Sequence, residues 1–131
     1  MIKTIKPIAS LLLLMSTQAM ASPQCWEIHN LRGTVAFADE NYKFSPDGFK
    51  NKVIRVVFNG KQSTITDWEV NCLEVPGNAV MCIQAKASST AIEVWRIDQI
   101  RQKATMSRIR TGFDIYDSAG TFVGDIKTCD S

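Results

Sequence analysis

The stretch CLEVPGNAVMC, residues 72–82, places two cysteines on either side of a turn signal. Its central Pro-Gly-Asn is typical of a tight turn, and Cys72 and Cys82 each lie five residues from Gly77. A hairpin centred on Gly77 brings the two cysteines opposite each other, where cross-strand partners are close enough for a disulfide. The stretch therefore predicts a cross-linked β-hairpin.

The other two cysteines, Cys25 and Cys129, lie far apart in the chain. Four cysteines allow three pairings, but the hairpin leaves Cys25 to pair with Cys129, and this bridge ties the first predicted strand to the last. In the chain-entropy model so long a loop contributes about 4–5 kcal/mol, against about 3 kcal/mol for the hairpin. Zinc is the alternative use of cysteines, but the sequence has no Cys-x-x-Cys pair and His29 is its only histidine. We therefore predict two disulfides and no metal site.

Turn signals separate β-branched, apolar segments in the middle of the chain. Asn59-Gly60 lies between residues 53–58 and residues 61–66, which predicts a hairpin with a type I′ turn because both turn positions need positive φ. Residues 67–72 alternate between polar and apolar side chains, as in a strand with one buried face. The middle of the chain therefore reads as a series of hairpins.

The pattern is less regular near the front. Residues 26–28 and 35–37 predict two strands with a break near Gly33. Residues 39–51 contain Ser-Pro-Asp-Gly, a turn signal, and predict a long connection.

The last third of the chain continues the strand pattern. The adjoining Val94 and Trp95 interrupt an otherwise alternating segment, which predicts a β-bulge or an edge position. Residues 104–110 predict a more polar strand. Residues 113–115 and 122–126 predict two short strands around a turn at Ser-Ala-Gly.

Together these segments predict eight or nine short strands with tight turns, the pattern of an antiparallel meander. The fold class is all-β, and a meander of this size protects its edges by closing into a small barrel or folding into a sandwich of about eight strands. No repeat or linker divides residues 22–131, so we expect one domain stapled by two disulfides.

The first 21 residues have the three parts of a secretory signal peptide. Lys3 and Lys6 precede an apolar run at residues 8–15, and Ala19-Met20-Ala21 is a small-residue cleavage site. The apolar run is too short to span a bilayer, so we expect cleavage after Ala21 and a mature protein without a membrane span. Because disulfides persist outside the cytoplasm, we expect the protein in the periplasm, with release outside the cell as the alternative.

Net charge argues against one class of partner. The precursor has 15 basic and 13 acidic residues, and loss of the signal peptide removes two lysines, so the mature domain has no formal net charge. A neutral domain has no bulk attraction for nucleic acid or for anionic lipid. We therefore expect no nucleic-acid partner.

The sequence contains no recognisable catalytic set. His29 falls on the first predicted strand, and no Gly-x-Ser-x-Gly motif accompanies it. Acids at residues 39–40, 67–69 and 114–117 fall in predicted loops and solvent faces, so we interpret them as solubilising rather than as glycan-hydrolysing carboxylates. Calcium loops, phosphate loops and dinucleotide fingerprints are absent from the sequence. We predict no enzymatic activity and no cofactor.

Two groups of residues are candidates for binding a protein partner. The long connection carries aromatic residues between acids, and aromatic side chains on a surface loop are good interface anchors. A basic cluster on neighbouring strands could form a patch for an acidic partner, but we favour the interpretation that it is a solvated face neutralised by acids such as Glu93 and Asp98. This basic cluster comprises Arg96, Arg101, Lys103, Arg108 and Arg110. The candidate partner-binding residues are Asp39, Glu40, Tyr42, Phe44, Arg108 and Arg110.

Several short segments resemble those of small exported bacterial β-proteins of unknown function. They are CWEI at 25–28, YKF at 42–44, DGF at 47–49, VWRID at 94–98, RTGF at 110–113 and FVGD at 122–125. The likeness covers most of the predicted domain, and its motifs are structural. The predicted domain is also similar, at the level of class only, to periplasmic lysozyme inhibitors and to immunity proteins that neutralise cell-wall-attacking effectors. The shared features are its size, its export and its disulfides. That similarity implies a peptidoglycan-acting enzyme or toxin as the partner.

Three functions compete. An inhibitor or immunity protein needs only a rigid scaffold and a loop that fits a partner's cleft, in agreement with export, disulfides and the missing catalytic motifs. A lipocalin-like carrier of a small apolar ligand needs a wide barrel with an apolar lumen. An enzyme needs chemistry that the sequence does not offer. We expect the inhibitor, with the carrier as the alternative.

Overall fold

The computed structural model describes residues 24–130, and the predicted signal peptide at residues 1–21 lies outside the described residues. The described chain consists of nine strands and three short 3-10 turns, with no α-helix among them. The strands are β1 (Gln24–Phe37), β2 (Phe44–Gly48), β3 (Ile54–Phe58), β4 (Thr64–Ile65), β5 (Leu73–Val75), β6 (Ala79–Lys86), β7 (Ser89–Asp98), β8 (Lys103–Thr111) and β9 (Ser118–Thr128). The 3-10 turns are Ala38–Glu40, Gly60–Gln62 and Asp114–Tyr116.

The strands form one antiparallel sheet that curls into a half-barrel. Along the main path the order is β4-β3-β1-β9-β8-β7-β6-β5, and β2 pairs with the second half of β1 beyond β3. The two ends of the path meet at one point, where the backbone N–H of Cys72 donates to the carbonyl of Ser63 at 2.7 Å. The predicted all-β antiparallel fold is confirmed, and of the two predicted closures the sheet adopts the barrel-like one.

Both predicted disulfides are present. The pairing of Leu73 with Met81 continues to Cys72 opposite Cys82, whose Cα atoms lie 4.4 Å apart. Cys25 and Cys129 lie opposite each other at the ends of β1 and β9, with their Cα atoms 5.4 Å apart. In both cases the bridge joins directly opposed positions of an antiparallel pair, and the Cα–Cα distance lies in the range usual for disulfides.

The hydrophobic core occupies the inside of the half-barrel. Trp95 and Phe122 are its largest fully buried members, at 2% and 1% exposed. The remaining buried core residues include Ile28, Leu31, Val56, Val80, Ile97 and Ala104. Most of these side chains lie toward the end of the half-barrel that carries the Cys25–Cys129 bridge, which we call the bridged end.

β1 is a single strand of 14 residues rather than two. Its register with β9 shifts between His29 and Arg32, where Asn30 adopts a φ of 55°. This β-bulge lets both Ile28 and Leu31 face inward, although they are an odd number of residues apart. The predicted break near Gly33 is therefore wrong. The glycine instead permits close packing, because a Cβ there would lie 1.9 Å from the carbonyl oxygen of Thr121.

The predicted type I′ turn at Asn59-Gly60 is also wrong in detail. β3 and β4 do form a hairpin, but Asn59 has a φ of −151° and only Gly60, at 57°, is left-handed. The buried hydroxyl of Ser63 explains the wider loop, because it accepts a bond from the Asn59 N–H at 2.8 Å and donates to the Gly60 carbonyl at 2.8 Å. The Ser63 side chain closes the loop between β3 and β4, where the sequence pattern predicts a two-residue turn.

Three other strand predictions fail for tertiary reasons. The segment predicted as a strand at residues 67–72 is irregular up to Asn71, and Trp68 packs inward instead. β7 runs through Val94 and Trp95 without a bulge and is not an edge strand, because β6 and β8 pair with it on both sides. β9 begins at Ser118, so the predicted turn there is part of a strand and residues 113–115 lie in a loop.

The predicted long connection at residues 39–51 contains the short strand β2. It pairs with β1 from Arg32 to Ala36, and Pro46 lies opposite Thr34. A proline is compatible with this position because β2 is an edge strand whose outer side has no ladder partner among the described strands. The connection is therefore half strand and half loop.

Candidate binding site at the cavity end

The inward side chains of β6, β7 and β8 change character along the half-barrel. Toward the bridged end they are apolar, as at Val80, Ile97 and Met106. Toward the opposite end the same faces carry polar side chains, which are Gln84 and Lys86 on β6, Glu93 on β7, and Arg108 and Arg110 on β8. A cavity of about 490 Å³ lies among them, facing residues 49–54 and 66–68 on the other side. We call this end the cavity end.

Glu93 is the most buried charged side chain of the cavity wall, at 3% exposed. Its carboxylate accepts hydrogen bonds from the indole Nε1–H of Trp68, with Oε1 at 2.9 Å and Oε2 at 3.2 Å. A guanidinium nitrogen of Arg108 lies 3.5 Å from Oε2. The inward-turned Trp68 thus connects the irregular segment at residues 66–71 to the floor of the cavity.

Arg108 is held between this carboxylate and aromatic rings. Its guanidinium carbon lies 5.4 Å from the ring centroid of Phe49 and 5.9 Å from that of Phe122, distances at which a cation and an aromatic face attract each other. The two rings meet edge to face, with centroids 5.5 Å apart. Arg108 is therefore fixed in place and only 17% exposed at its side chain.

Arg110 differs from Arg108 in having no salt-bridge partner among the described residues. No carboxylate of residues 24–130 forms a salt bridge with it, whereas Lys52 on the facing side pairs with Asp67. Burial lowers the pKa of Arg110, the neighbouring charge of Arg108 lowers it further, and Glu93 offsets part of the effect. A half-buried cation beside another cation is electrostatically unsatisfied.

Two buried donors in the cavity wall also lack partners. Within the described chain, neither the Nε1–H of Trp95 nor the Nε–H of Arg108 makes a hydrogen bond. Both residues line the cavity. Buried donors of folded proteins are nearly always paired, so each such group calls for an explanation.

Exposed aromatic side chains surround the cavity end. Tyr42 is 53% exposed, Phe44 is 69% exposed and Tyr116 is 63% exposed. Tyr42 lies on the β1–β2 loop, Phe44 is the first residue of β2, and Tyr116 lies on the β8–β9 loop. The two loops are joined by a hydrogen bond of 2.9 Å from the Ala38 N–H to the Asp117 carbonyl. We define the aromatic rim as Tyr42, Phe44, Phe113 and Tyr116.

The predicted partner-binding residues therefore divide into two settings at one end of the molecule. Asp39 and Glu40 are exposed on the 3-10 turn of the β1–β2 loop, next to the rim residues Tyr42 and Phe44. Arg108 and Arg110 lie on the inner face of β8, not on an outer surface patch. Whether any of the six contacts a partner stays a prediction.

The five residues of the basic cluster do not form a single patch. Arg96 and Arg101 are exposed near the bridged end, where both form salt bridges with Asp98, and Lys103 nearby pairs with Asp125. The favoured interpretation, a solvated and neutralised face, agrees with the salt bridges of these three residues. It does not hold for Glu93, which is buried inside.

Sequence reasoning missed the acid of the cavity. Glu93 falls on the same alternating positions as Trp95 and Ile97, so the two-residue period places it on the buried face. Applying that period to β7 would have identified Glu93 as an inward charge. The contribution of Trp68 has no such signal, because it depends on a loop that folds back across the sheet.

Between Gln24 and Asp130, no group of three or more His, Cys, Asp or Glu side chains is placed to hold a metal ion. In the same part of the chain, no helix has the length and apolar character needed to cross a bilayer.

The chain matches no protein-family model, no curated protein and no solved structure. The function must therefore be argued from the geometry of the site.

Proposed function

We propose that the protein is a small exported, non-enzymatic binding protein of the periplasm that inhibits or neutralises a protein partner. The observation that carries this proposal is the aromatic rim beside a basic cavity at one end of a cross-linked scaffold. The partner binds at the cavity end. Export, cleavage after Ala21 and location in the periplasm are parts of the proposal, and the two disulfides support them.

The rim has the properties of an interface rather than of an ordinary loop surface. Large aromatic side chains that remain exposed in a folded domain mark interaction sites when they are grouped, and aromatic residues dominate binding energy at protein interfaces. The loop that carries Tyr42 is also held in place, because the Tyr42 N–H donates to the carbonyl of Phe37 at 2.8 Å. An ordered loop loses little entropy on binding.

A peptidoglycan-acting enzyme or toxin is the proposed target. Such enzymes act in the compartment where a disulfide-bonded protein is stable. The class-level similarity to lysozyme inhibitors and immunity proteins supports the same choice. The two acids beside the rim, Asp39 and Glu40, are exposed and available to a basic partner surface.

A carrier of a small ligand is the second candidate, because the cavity is large enough for one. The lining does not favour the apolar ligand of a lipocalin-like carrier. Four cationic side chains, Lys52, Lys86, Arg108 and Arg110, and two acidic ones face this space. A carrier with this cavity lining would take a polar ligand.

The proposal is tested by inhibition and protection assays with matched variants. The purified protein is tested against a panel of peptidoglycan-acting enzymes, and a deletion strain is challenged with the same enzymes. We expect the native protein to inhibit one of them, and the double variant Tyr42→Ala, Tyr116→Ala to lose inhibition while remaining folded. Ile100→Ala is the control, because Ile100 is 92% exposed on the β7–β8 turn at the bridged end.

Two outcomes would overturn this function. The first is that the native protein inhibits no enzyme of the panel and that its deletion changes no sensitivity. The second is that the rim variant inhibits as well as the Ile100→Ala control, which would move the binding surface elsewhere.

A further inference from the structure

We propose that the cavity is an anion site that takes a carboxylate group between Arg110 and Arg108. The carboxylate belongs to an acidic side chain of the protein partner, and this assignment of its source rests on the function proposed above. The anion site itself rests only on the cavity and its side chains, so the two parts can be tested separately.

The charge distribution of the cavity wall is the first argument. The charge of Arg108 faces Glu93 at 3.5 Å, and Lys52 pairs with Asp67. Arg110 and Lys86 then remain without a carboxylate partner in the described part of the chain, although both line the same space. An anion between Arg110 and Arg108 would offset the repulsion between the two guanidinium groups. Salt screens such an interaction little at a half-buried position.

The unpaired donors are the second, independent argument. Trp95 is 2% exposed and its Nε1–H has no partner, and the Nε–H of Arg108 has none either. A buried donor without a partner loses the hydrogen bonds it made to water, and this loss is recovered when an acceptor arrives. The cavity wall therefore carries four cationic against two acidic side chains, and two of its residues each hold a buried donor without a partner.

The acids already present favour a carboxylate over a phosphate. Glu93 and Asp67 both line the cavity and repel any anion, and they repel a doubly charged phosphate more strongly than a singly charged carboxylate. The guanidinium of Arg110 has a planar fork of N–H groups that matches the two oxygens of a carboxylate. A single carboxylate therefore fits between Arg110, which lacks a carboxylate partner among the described residues, and Arg108 beside it.

The experiment measures binding of glutarate by tryptophan fluorescence, since two of the three tryptophans, Trp68 and Trp95, line the cavity. Glutaramide is the uncharged control ligand, and phosphate is the competing anion, all at one ionic strength. Arg110→Gln is the test variant, and Arg101→Gln is its matched control because Arg101 is exposed near the bridged end. Lys86→Gln is a second test variant in case Arg110→Gln does not fold.

We expect glutarate to give a saturable change in the native protein and in Arg101→Gln, and glutaramide to give none. In Arg110→Gln the apparent Kd for glutarate should rise about tenfold or more, the usual effect of losing a charge-assisted hydrogen bond. Without ligand, Arg110→Gln should unfold at the same temperature as the native protein or higher, because it removes a half-buried, unpaired charge. Equal binding by Arg110→Gln, equal binding of glutaramide, or tighter binding of phosphate would overturn the carboxylate site.

A further measurement distinguishes the two sources of the carboxylate. Native mass spectrometry of the protein purified from the periplasm should show no small molecule bound. A retained small carboxylate would overturn the assignment to a partner's side chain and make the protein a carrier. Glutarate binding that depends on Arg110, together with a failed enzyme panel, would leave the anion site standing and refute only the inhibitory function.

Discussion

Trp68 is expected to stabilise the domain mainly through its hydrogen bonds to Glu93, and Trp68→Phe tests this. The substitution keeps an aromatic ring in the core but removes the Nε1–H, which lies 2.9 Å and 3.2 Å from the two carboxylate oxygens. Without the Trp68 Nε1–H, the carboxylate of Glu93, which is 3% exposed, keeps only the longer contact to Arg108. A hydrogen bond to a charged group contributes about 1.5–3 kcal/mol, so the loss should be about 2 kcal/mol.

Trp26→Phe provides the matched control for the ring itself. Trp26 is also half-buried against the core, but its Nε1–H has no partner among the described residues. Both substitutions remove the same atoms, so the packing loss is similar. Trp26→Phe removes an N–H that makes no bond, whereas Trp68→Phe removes one that is bonded to Glu93, so the difference between them shows whether that bond contributes. We expect Trp68→Phe to be the more destabilising by about 2 kcal/mol.

Urea denaturation followed by circular dichroism measures the difference. With the slope typical of a small domain, about 2 kcal/mol lowers the unfolding midpoint by about 1–2 M urea. A double-mutant cycle of Trp68→Phe with Glu93→Gln should give a coupling of about 1–2 kcal/mol, as for residues in direct contact. If Trp68→Phe were no more destabilising than Trp26→Phe, then residues 66–71 would not be held by this bond, and our account of the cavity floor would be wrong.

Three further predictions concern the scaffold. Replacing Cys25 and Cys129 by alanine should lower the free energy of unfolding by about 4–5 kcal/mol, because the bridge closes a loop between residues 104 positions apart; a loss below about 1 kcal/mol in urea titrations would contradict this origin. The hydrogen bond from Arg55 holds the pKa of Glu27 below its ordinary value of 4.5. This contribution to stability is present above pH 4.5 and is lost as the pH falls below 4.5 through the lowered pKa. The unfolding temperature of Glu27→Gln should therefore depend less on pH in that acid range than the unfolding temperature of the native protein. An unchanged dependence would count against the ion pair. Gly33→Ala should destabilise the domain by about 2–4 kcal/mol, since its Cβ would lie 1.9 Å from a backbone oxygen. Gly60→Ala is the control, because a Cβ there meets nothing within 4 Å, and it should cost only about 1–2 kcal/mol for its left-handed φ. Equal unfolding midpoints for the two variants would refute the close approach of β1 to β9.

The features that the sequence predicted correctly depend on local geometry. The disulfide pairing follows from a turn centred on Gly77, which fixes the register of β5 and β6 and so places Cys72 opposite Cys82. The antiparallel all-β class follows from short apolar segments separated by turn residues. In both cases the relevant interactions lie within about ten residues along the chain.

The features that it missed depend on contacts between distant segments. The loop after β3 is widened by the buried Ser63 hydroxyl, which no pattern of turn residues indicates. The bulge at Asn30 is visible only when β1 is paired with β9 over its whole length. Trp68 leaves the predicted strand because a buried carboxylate on β7 accepts its N–H.

The candidate site was predicted in part. Arg108 and Arg110 were selected from the sequence, but their positions in β8 alternate with outward residues and place them inside the half-barrel. Assignment of a strand's two faces requires knowing which face is buried, and a strand as polar as β8 does not reveal this from its sequence.

Hydrogen exchange of the protein alone and in complex with the enzyme that we propose it inhibits is the measurement that tests the central claim most directly. The account predicts slowed exchange in residues 37–44 and 112–117, the two loops of the aromatic rim, and in the strand ends that border the cavity. It predicts no change at the turn of residues 99–102, which lies at the bridged end. Slowed exchange at that turn, with the rim loops unchanged, would contradict the account.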